Sequence, residues 1–320
     1  MLVALHADDL GFSEAINAGI CGALRGGLLT GASVLANAPA TEAALAAWRR
    51  LEDDSRGGGL PSAEARRLVD DPARPFDLGV HLNVSQGRPV TGSGFPAALL
   101  DAHGRFDGMR TFARLLLPGA ARHAAAVRRE LAAQVEVVLD HGVRPVRFDG
   151  HQYCELTPVV GRIVVDLAAR YGVSSIRVAR EPGLLGTLVR GRRRRRATQV
   201  AGELVAAAAK RALATMHLRR ARRARLRHPH WFFGSVSAGV VDAAVLERFL
   251  TLAGRLRADS IEIGLHPALP AQGAAEESEG RDAAWHDPLA AVRPAEYRWL
   301  TDERLPRVLR AHGARLGRLA

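Results

Sequence analysis

His6-Ala7-Asp8-Asp9-Leu10-Gly11-Phe12-Ser13 follows a short apolar run, Leu2 to Leu5, and its reading decides the fold. Two adjacent carboxylates after a strand-like segment repel each other, so one pKa must rise unless a cation or a proton intervenes. A divalent metal on one Asp resolves the conflict and leaves the other free as a base. The same residues also suit a helix start, with Ser13 as cap, Glu14 in the first turn and the aspartates near the positive end of a dipole. A short motif decides little without its structural context, so the rest of the chain has to choose.

Working outward, Ser13 to Arg25 reads as a helix with Ile16, Ile20 and Leu24 on one stripe, stopped at Gly26-Gly27. Leu28 to Ala36 reads as a strand, and Thr41 opens an Ala-rich helix toward Arg50. Further strand-like runs are Phe76 to Val84, Val143 to Gly150, Ser175 to Ala179 and Ser260 to Gly264, with helices expected at about 120–141, 157–172, 241–257 and 294–312. Strands alternating with helices predict a parallel sheet, closed or nearly closed. Asp8 and Asp9, His81, His151 and His266 all lie in or directly after separate strand-like runs. In a parallel β/α barrel the active site occupies the C-terminal ends of the strands, so these remote residues converge on one mouth. An Asp and two neutral imidazoles make a three-ligand site with open positions for water and substrate. Taken alone, His81 or His151 is more often a hydrogen-bonded polar residue than a metal ligand. His6 and His230 are expected beside the site or in the core. Strand alternation would place 151, 153 and 155 on one face, leaving Cys154 as a small buried apolar residue.

The chain has 320 residues, 48% hydrophobic and 24% charged, which suits a globular protein with a substantial core. Two distant cysteines, Cys21 and Cys154, argue against a disulfide framework. No secretory signal and no run long enough to span a bilayer are visible, so a cytoplasmic location is expected. The net charge of +12 is concentrated: residues 190–227 hold thirteen Arg and one Lys against Glu203 alone, a net +13, which leaves the remainder at −1. Residues 53–75, with Gly57-Gly58-Gly59 and three prolines, read as a surface insertion, and 268–293 as a Gly/Ala/Glu-rich candidate lid.

The ordered set His-Ala-Asp-Asp-Leu-Gly-Phe-Ser, Gly79-Val80-His81-Leu82-Asn83, Asp149-Gly150-His151-Gln152 and Gly264-Leu265-His266-Pro267 resembles the YdjC/ChbG-type carbohydrate deacetylases, especially the subgroup associated with hopanoid biosynthesis. Ser33 to Pro39, Gly87-Arg88-Pro89, Arg177 to Pro182 and Phe232-Phe233-Gly234 support it. The resemblance covers most of the chain and implies one domain over 1–320: a distorted (β/α) TIM-like barrel of the NodB/YdjC deacetylase type, with a basic helical insertion at 190–227. It implies one divalent metal, Zn²⁺ or Mg²⁺, held by Asp9, His81 and His151, with Asp8 as base and His266 as acid. The expected activity is metal-assisted removal of an N-acetyl group from an amino sugar, and Asn37, Asn83, Arg88, Tyr153, Glu155 and Arg180 are the expected substrate contacts. Many relatives carry alternating histidines where this chain has Tyr153 and Glu155, which leaves the sugar specificity open; Glu155 is open to a role as substrate contact or further ligand.

In the basic segment Leu204, Ala208, Ala212 and Met216, joined by Val205, Ala209 and Leu213, share a helical face with Lys and Arg at its ends. That pattern suits either an anionic membrane surface with a glycolipid substrate, such as a polyprenyl-phosphate sugar at the inner face of the cytoplasmic membrane, or a solvated insertion packed on the barrel. No aromatics interleave with the arginines, so nucleic acid is not an expected partner. Rival readings are another metal-dependent hydrolase on this barrel, such as a phosphoesterase, and a catalytically silent membrane- or nucleic-acid-binding protein. The oligomeric state is not legible.

Overall fold

A computed structural model describes residues 1–26, 28–58, 68–182, 197–235, 237–270, 285–302 and 304–319. Among them eight parallel strands form one curled sheet: β1 (Leu2–Leu10), β2 (Gly31–Val34), β3 (Asp77–Leu82), β4 (Arg147–Gly150), β5 (Ser175–Ile176), β6 (Trp231–Phe233), β7 (Ser260–Leu265) and β8 (Arg315–Leu316). Their order is β5-β4-β3-β2-β1-β7-β6, with β8 beside the start of β1, where Leu2 faces Arg315. The two ends nearly meet: Phe232 N donates to Arg180 O at 3.0 Å, and Arg227 N to Ser174 O at 3.0 Å. The result is a distorted (β/α) barrel, as the alternation of strands and helices predicted.

Helices α1 (Glu14–Gly26) and α2 (Thr41–Arg56) follow β1 and β2. Next come α3 (Met109–Leu116), α4 (Ala124–Asp140) and α5 (Pro158–Tyr171). The remaining helices are α6 (Ala197–Arg223), α7 (Ala243–Arg255), α8 (Arg293–Leu300) and α9 (Arg304–Ala311). Pro158 at the first turn and the Thr157 hydroxyl, accepting from Val160 N at 3.3 Å, start α5. Helix α3 was not foreseen, and α2 runs to Arg56 rather than Arg50, into the 53–75 stretch. Of that stretch, 59–67 lie outside the described residues, as do 190–196 of the basic segment and 271–284 of the expected lid.

The strands sort their side chains by parity. Val3, Leu5 and Ala7 of β1 join Val34, Val80, Phe148, Ile176, Ile261 and Ile263 in the apolar core shared with the helices. The alternate residues point into the barrel and are polar: His6, Ser33, Asp77, Arg147, Asp149, Arg177 and Glu262, all buried. Gly79 makes room for this charged interior, since a Cβ there would lie 2.5 Å from Ser33 Oγ and 2.6 Å from Arg147 Cγ.

Two expectations need correction. Strand alternation does not continue past Gly150, because His151–Leu156 is a tight 3-10 turn broken by left-handed backbone at Gln152 and Tyr153 (φ 52° and 61°). Cys154 is nonetheless buried, its thiol 3.2 Å from Leu82 O. Nor does the expected apolar stripe of α6 pack on the barrel: Ala208, Ala209 and Ala212 are exposed, as a surface contact would require, whereas Ala214, His217, Leu218 and Ala221 form the buried face; the side chains of Leu204 and Val205 lie outside the described residues. Among the described residues no helix is long and apolar enough to cross a membrane.

Candidate active site

The register of β1 against β2 slips between Ala7 and Leu10, and Asp9 takes a left-handed conformation (φ 68°). In a regular strand Asp8 and Asp9 would face opposite sides; this bulge turns both into one cavity of about 140 Å³ at the C-terminal ends of the strands. His81, at the end of β3, His151, after β4, and His266, after β7, line the same cavity.

Ligand atoms of Asp9, His81 and His151 all lie within 4.8 Å of one another. Asp9 Oδ1 is 3.0 Å from His151 Nδ1 and 3.6 Å from His81 Nε2. The Nδ1 of His81 contacts Asp149 Oδ1 at 2.8 Å, which turns Nε2 toward Asp9, and carboxylate-backed imidazoles are the usual way a ligand ring is oriented. His151 Nε2 is buried with no hydrogen-bond partner. One carboxylate and two imidazoles, with ligand atoms this close together, form a donor set that fits a divalent cation. Burial opposes protonation of His81, but Asp149, Asp8 and Asp9 outweigh it and push its pKa up to about 9.

The charge conflict between the two aspartates is met by arginines that sequence reading did not pick out. Arg177, fully buried on β5's continuation, binds both oxygens of Asp8, while Arg293 at the start of α8 donates to Asp9 Oδ2 at 2.7 Å and to Asp287. Burial alone would raise the Asp9 carboxyl, yet Arg293 and His151 hold it well below the usual carboxylate range. Arg177 also reaches Glu262 (2.6 Å) and Asp149 (3.2 Å), and Arg147 binds Glu262 at 2.8 Å. Burial and Arg147 push the His6 pKa well below its ordinary value, so the neutral ring contacts Ser33 Oγ, which donates to Asp149. His6, Asp8 and Asp149 also cluster at metal-ligand spacing, but the Arg177 guanidinium already pairs with both carboxylates there.

His266 holds Nε2 3.9 Å from Asp8 Oδ2, and its backbone N–H donates to Glu296. Of the six expected substrate contacts, Tyr153 lines the cavity. Asn83 donates to Asn37 Oδ1 and Gln86 O, and Asn37 to Gln86 O and Arg88 O; together they fold the loop that brings Gln86 to the cavity. Arg88 instead donates to His103 O, and Arg180 stacks on Trp231 with 3.9 Å to the ring centroid. Glu155 is fully buried behind the wall, with neither oxygen hydrogen-bonded, and burial pushes its carboxyl up to about 8. His286 also lines the cavity, and its backbone N–H donates to Gln86 Oε1.

The sequence profile of the family described as YdjC-like protein matches residues 2–311. The chain is 30% identical to the human "Carbohydrate deacetylase" over 188 residues, 58% of this chain and 51% of that protein. To the same-named protein of Geobacillus stearothermophilus it is 30% identical over 178 residues, 55% of this chain and 60% of that one. Thus the matched region spans about half to three-fifths of these relatives. The crystal structure of an Enterococcus faecalis protein described as a cellobiose-phosphate cleavage protein superposes with a TM-score of 0.65 at 17% identity, covering 98% of this chain and 96% of that one. At that identity the likeness speaks for the fold alone.

Proposed function

The chain belongs to the YdjC-like protein family, and from that premise we propose that it is a hydrolase removing the N-acetyl group of an amino sugar with the help of one divalent metal. The observation that carries this reading is the meeting of Asp9, His81 and His151 around one point, with Asp8 and His266 facing it from the same cavity. The carbohydrate deacetylases among its relatives support the substrate class.

Asp9, His81 and His151 would hold the metal, and two imidazoles in the set favour Zn²⁺ over Mg²⁺. When bound, such an ion supplies Lewis-acid polarisation of the acetamide carbonyl and a lowered pKa for water. Asp8, held by Arg177 rather than spent as a ligand, takes the proton of the attacking water. His266, which lines the same cavity, delivers a proton to the departing nitrogen, without which an amide nitrogen is a very poor leaving group. Tyr153 and Gln86 form walls against the sugar. Acetate and a free amino sugar are the products.

The sugar's carrier is proposed to be a lipid met at the inner face of the cytoplasmic membrane. The exposed Arg211, Arg219, Arg222 and Arg223 on α6 support it, since exposed arginines draw a protein to anionic headgroups. Acetate release from a panel of free and lipid-linked N-acetylated sugars, with added Zn²⁺ or Mg²⁺ and with chelator, tests the activity. No release from any member in the presence of metal would refute it. Flotation with vesicles containing or lacking anionic lipid tests the carrier, and absence of binding at low salt would remove that part.

A further inference from the structure

Helix α6 of the basic segment lies against α5 and against the turn His151–Leu156. The close seating depends on Gly161 of α5: a Cβ there would come within 3.0 Å of His217 Nδ1 and Arg220 Nη1, both on α6. On the same side of α6, Lys210 places its ammonium 3.5 Å from the centroid of the Tyr153 ring. Another side of that ring meets Phe232 of β6 edge-to-face at 6.1 Å. Tyr153 thus stands between a cation outside the cavity and the cavity itself.

The backbone explains why this contact matters. Gln152 and Tyr153 are consecutive non-glycine residues at φ 52° and 61°, a conformation that persists only where the surroundings impose it. Gln152 gets no help from its own side chain, whose Oε1 is buried without a partner. A desolvated ammonium on an aromatic face is among the stronger contacts available to hold a ring. Burial pushes the Lys210 pKa down to about 8, with Glu181 and Glu155 pulling the other way, so the charge persists at neutral pH.

We propose that Lys210 is a positioning residue of the active site: its ammonium pins Tyr153, and with it the turn that begins at His151, so that the helix of the basic segment sets the sugar-facing wall. The specificity part rests on the deacetylase reading above; the pinning part does not. Lys210→Met, Lys210→Arg, Tyr153→Leu and the Lys210→Met/Tyr153→Leu double variant form the test. Hydrogen exchange of peptides covering 150–157, read by mass spectrometry without substrate, should be at least threefold faster in Lys210→Met and near wild type in Lys210→Arg. Unchanged exchange in Lys210→Met overturns the proposal whatever the enzyme does.

On the best N-acetylated sugar of the panel, Lys210→Met should raise KM about five- to tenfold with kcat within twofold, and should add nothing in the Tyr153→Leu background. A fall in kcat at unchanged KM, or full additivity of the two variants, overturns the specificity part. A wild-type chain that releases no acetate refutes the deacetylase reading instead, and the exchange result still decides whether Lys210 holds the turn.

Discussion

Arg177 grips Asp8 with both ends of its fork, Nη1 2.6 Å from Oδ2 and Nη2 2.7 Å from Oδ1, in the interior of the barrel. A bidentate pair of this kind fixes the plane and orientation of the carboxylate. It also separates the tasks of two adjacent aspartates, one tied to an arginine and one facing two imidazoles. Asp8→Asn should therefore lower acetate release by about 100-fold or more, the usual range for losing a general base. Metal per chain, measured by elemental mass spectrometry on protein of unchanged circular dichroism, should stay at the wild-type level. Near-full turnover in this variant would reassign the base.

Asp149 backs the proposed ligand set, contacting His81 Nδ1 at 2.8 Å while Ser33 donates to its other oxygen at 2.7 Å. Burial would raise its pKa, but Arg177 and His81 hold it well below the usual carboxylate range, so it stays an acceptor. Asp149→Asn should weaken metal binding about 10- to 100-fold, as loss of such supporting partners generally does. A chelator-competition titration measures it, and His81→Ala should be more severe. Equal affinities for wild type and Asp149→Asn would show that His81 needs no orientation.

How far the sequence carried this picture depends on which residues announce themselves. Asp8, Asp9, His81, His151 and His266 each follow an apolar run, and a parallel barrel places such positions at one mouth. The strand–helix alternation gave the architecture for the same reason. The roles of Arg177, Asp149, Glu262 and Arg147 stayed hidden because the last three occupy ordinary inward positions of strands and Arg177 directly follows β5, and charged residues in so small a barrel interior run against expectation. A signal was present: His6, Ser33, Asp77, Arg147, Asp149 and Glu262 share one parity with Asp8 and His81. Arg293 lies 284 residues from Asp9 and had no local cue. Tyr153 and Glu155 were placed on one face by strand alternation, and the turn after Gly150 removed that premise.

Chelation should be read in stability as well as in rate. A ligand that binds only the folded chain stabilises it by mass action, about 2.7 kcal/mol at a concentration 100 times its Kd. Zn²⁺ should accordingly raise the melting temperature of chelator-treated protein by several degrees. His151→Ala, which takes away a ring bearing an unpaired buried nitrogen, should abolish most of that rise. Differential scanning fluorimetry with and without metal checks it; an equal shift in His151→Ala would place the ion elsewhere.

Asp77, at the opposite end of the barrel interior from the cavity, offers a test of the charged interior by pH. Neither carboxylate oxygen has a hydrogen-bond partner, and burial raises its pKa from 3.8 to about 6, with Arg147 and Arg318 acting against the rise. A folded-state pKa above the unfolded one means that the folded chain binds the proton more tightly. The associated stability is fully present below about pH 4 and is lost as pH rises through about 6. Asp77→Asn removes this loss while keeping the shape of the protonated acid. Relative to wild type, the variant should gain roughly 1 kcal/mol at pH 4.5 and roughly 3 kcal/mol by pH 7.5, the energy of a shift of this size. Thermal or urea melts at the two pH values measure the difference. A gap that does not widen between them would mean that Asp77 is already ionised throughout, and that Arg147, which also binds Glu262, neutralises it without a hydrogen bond.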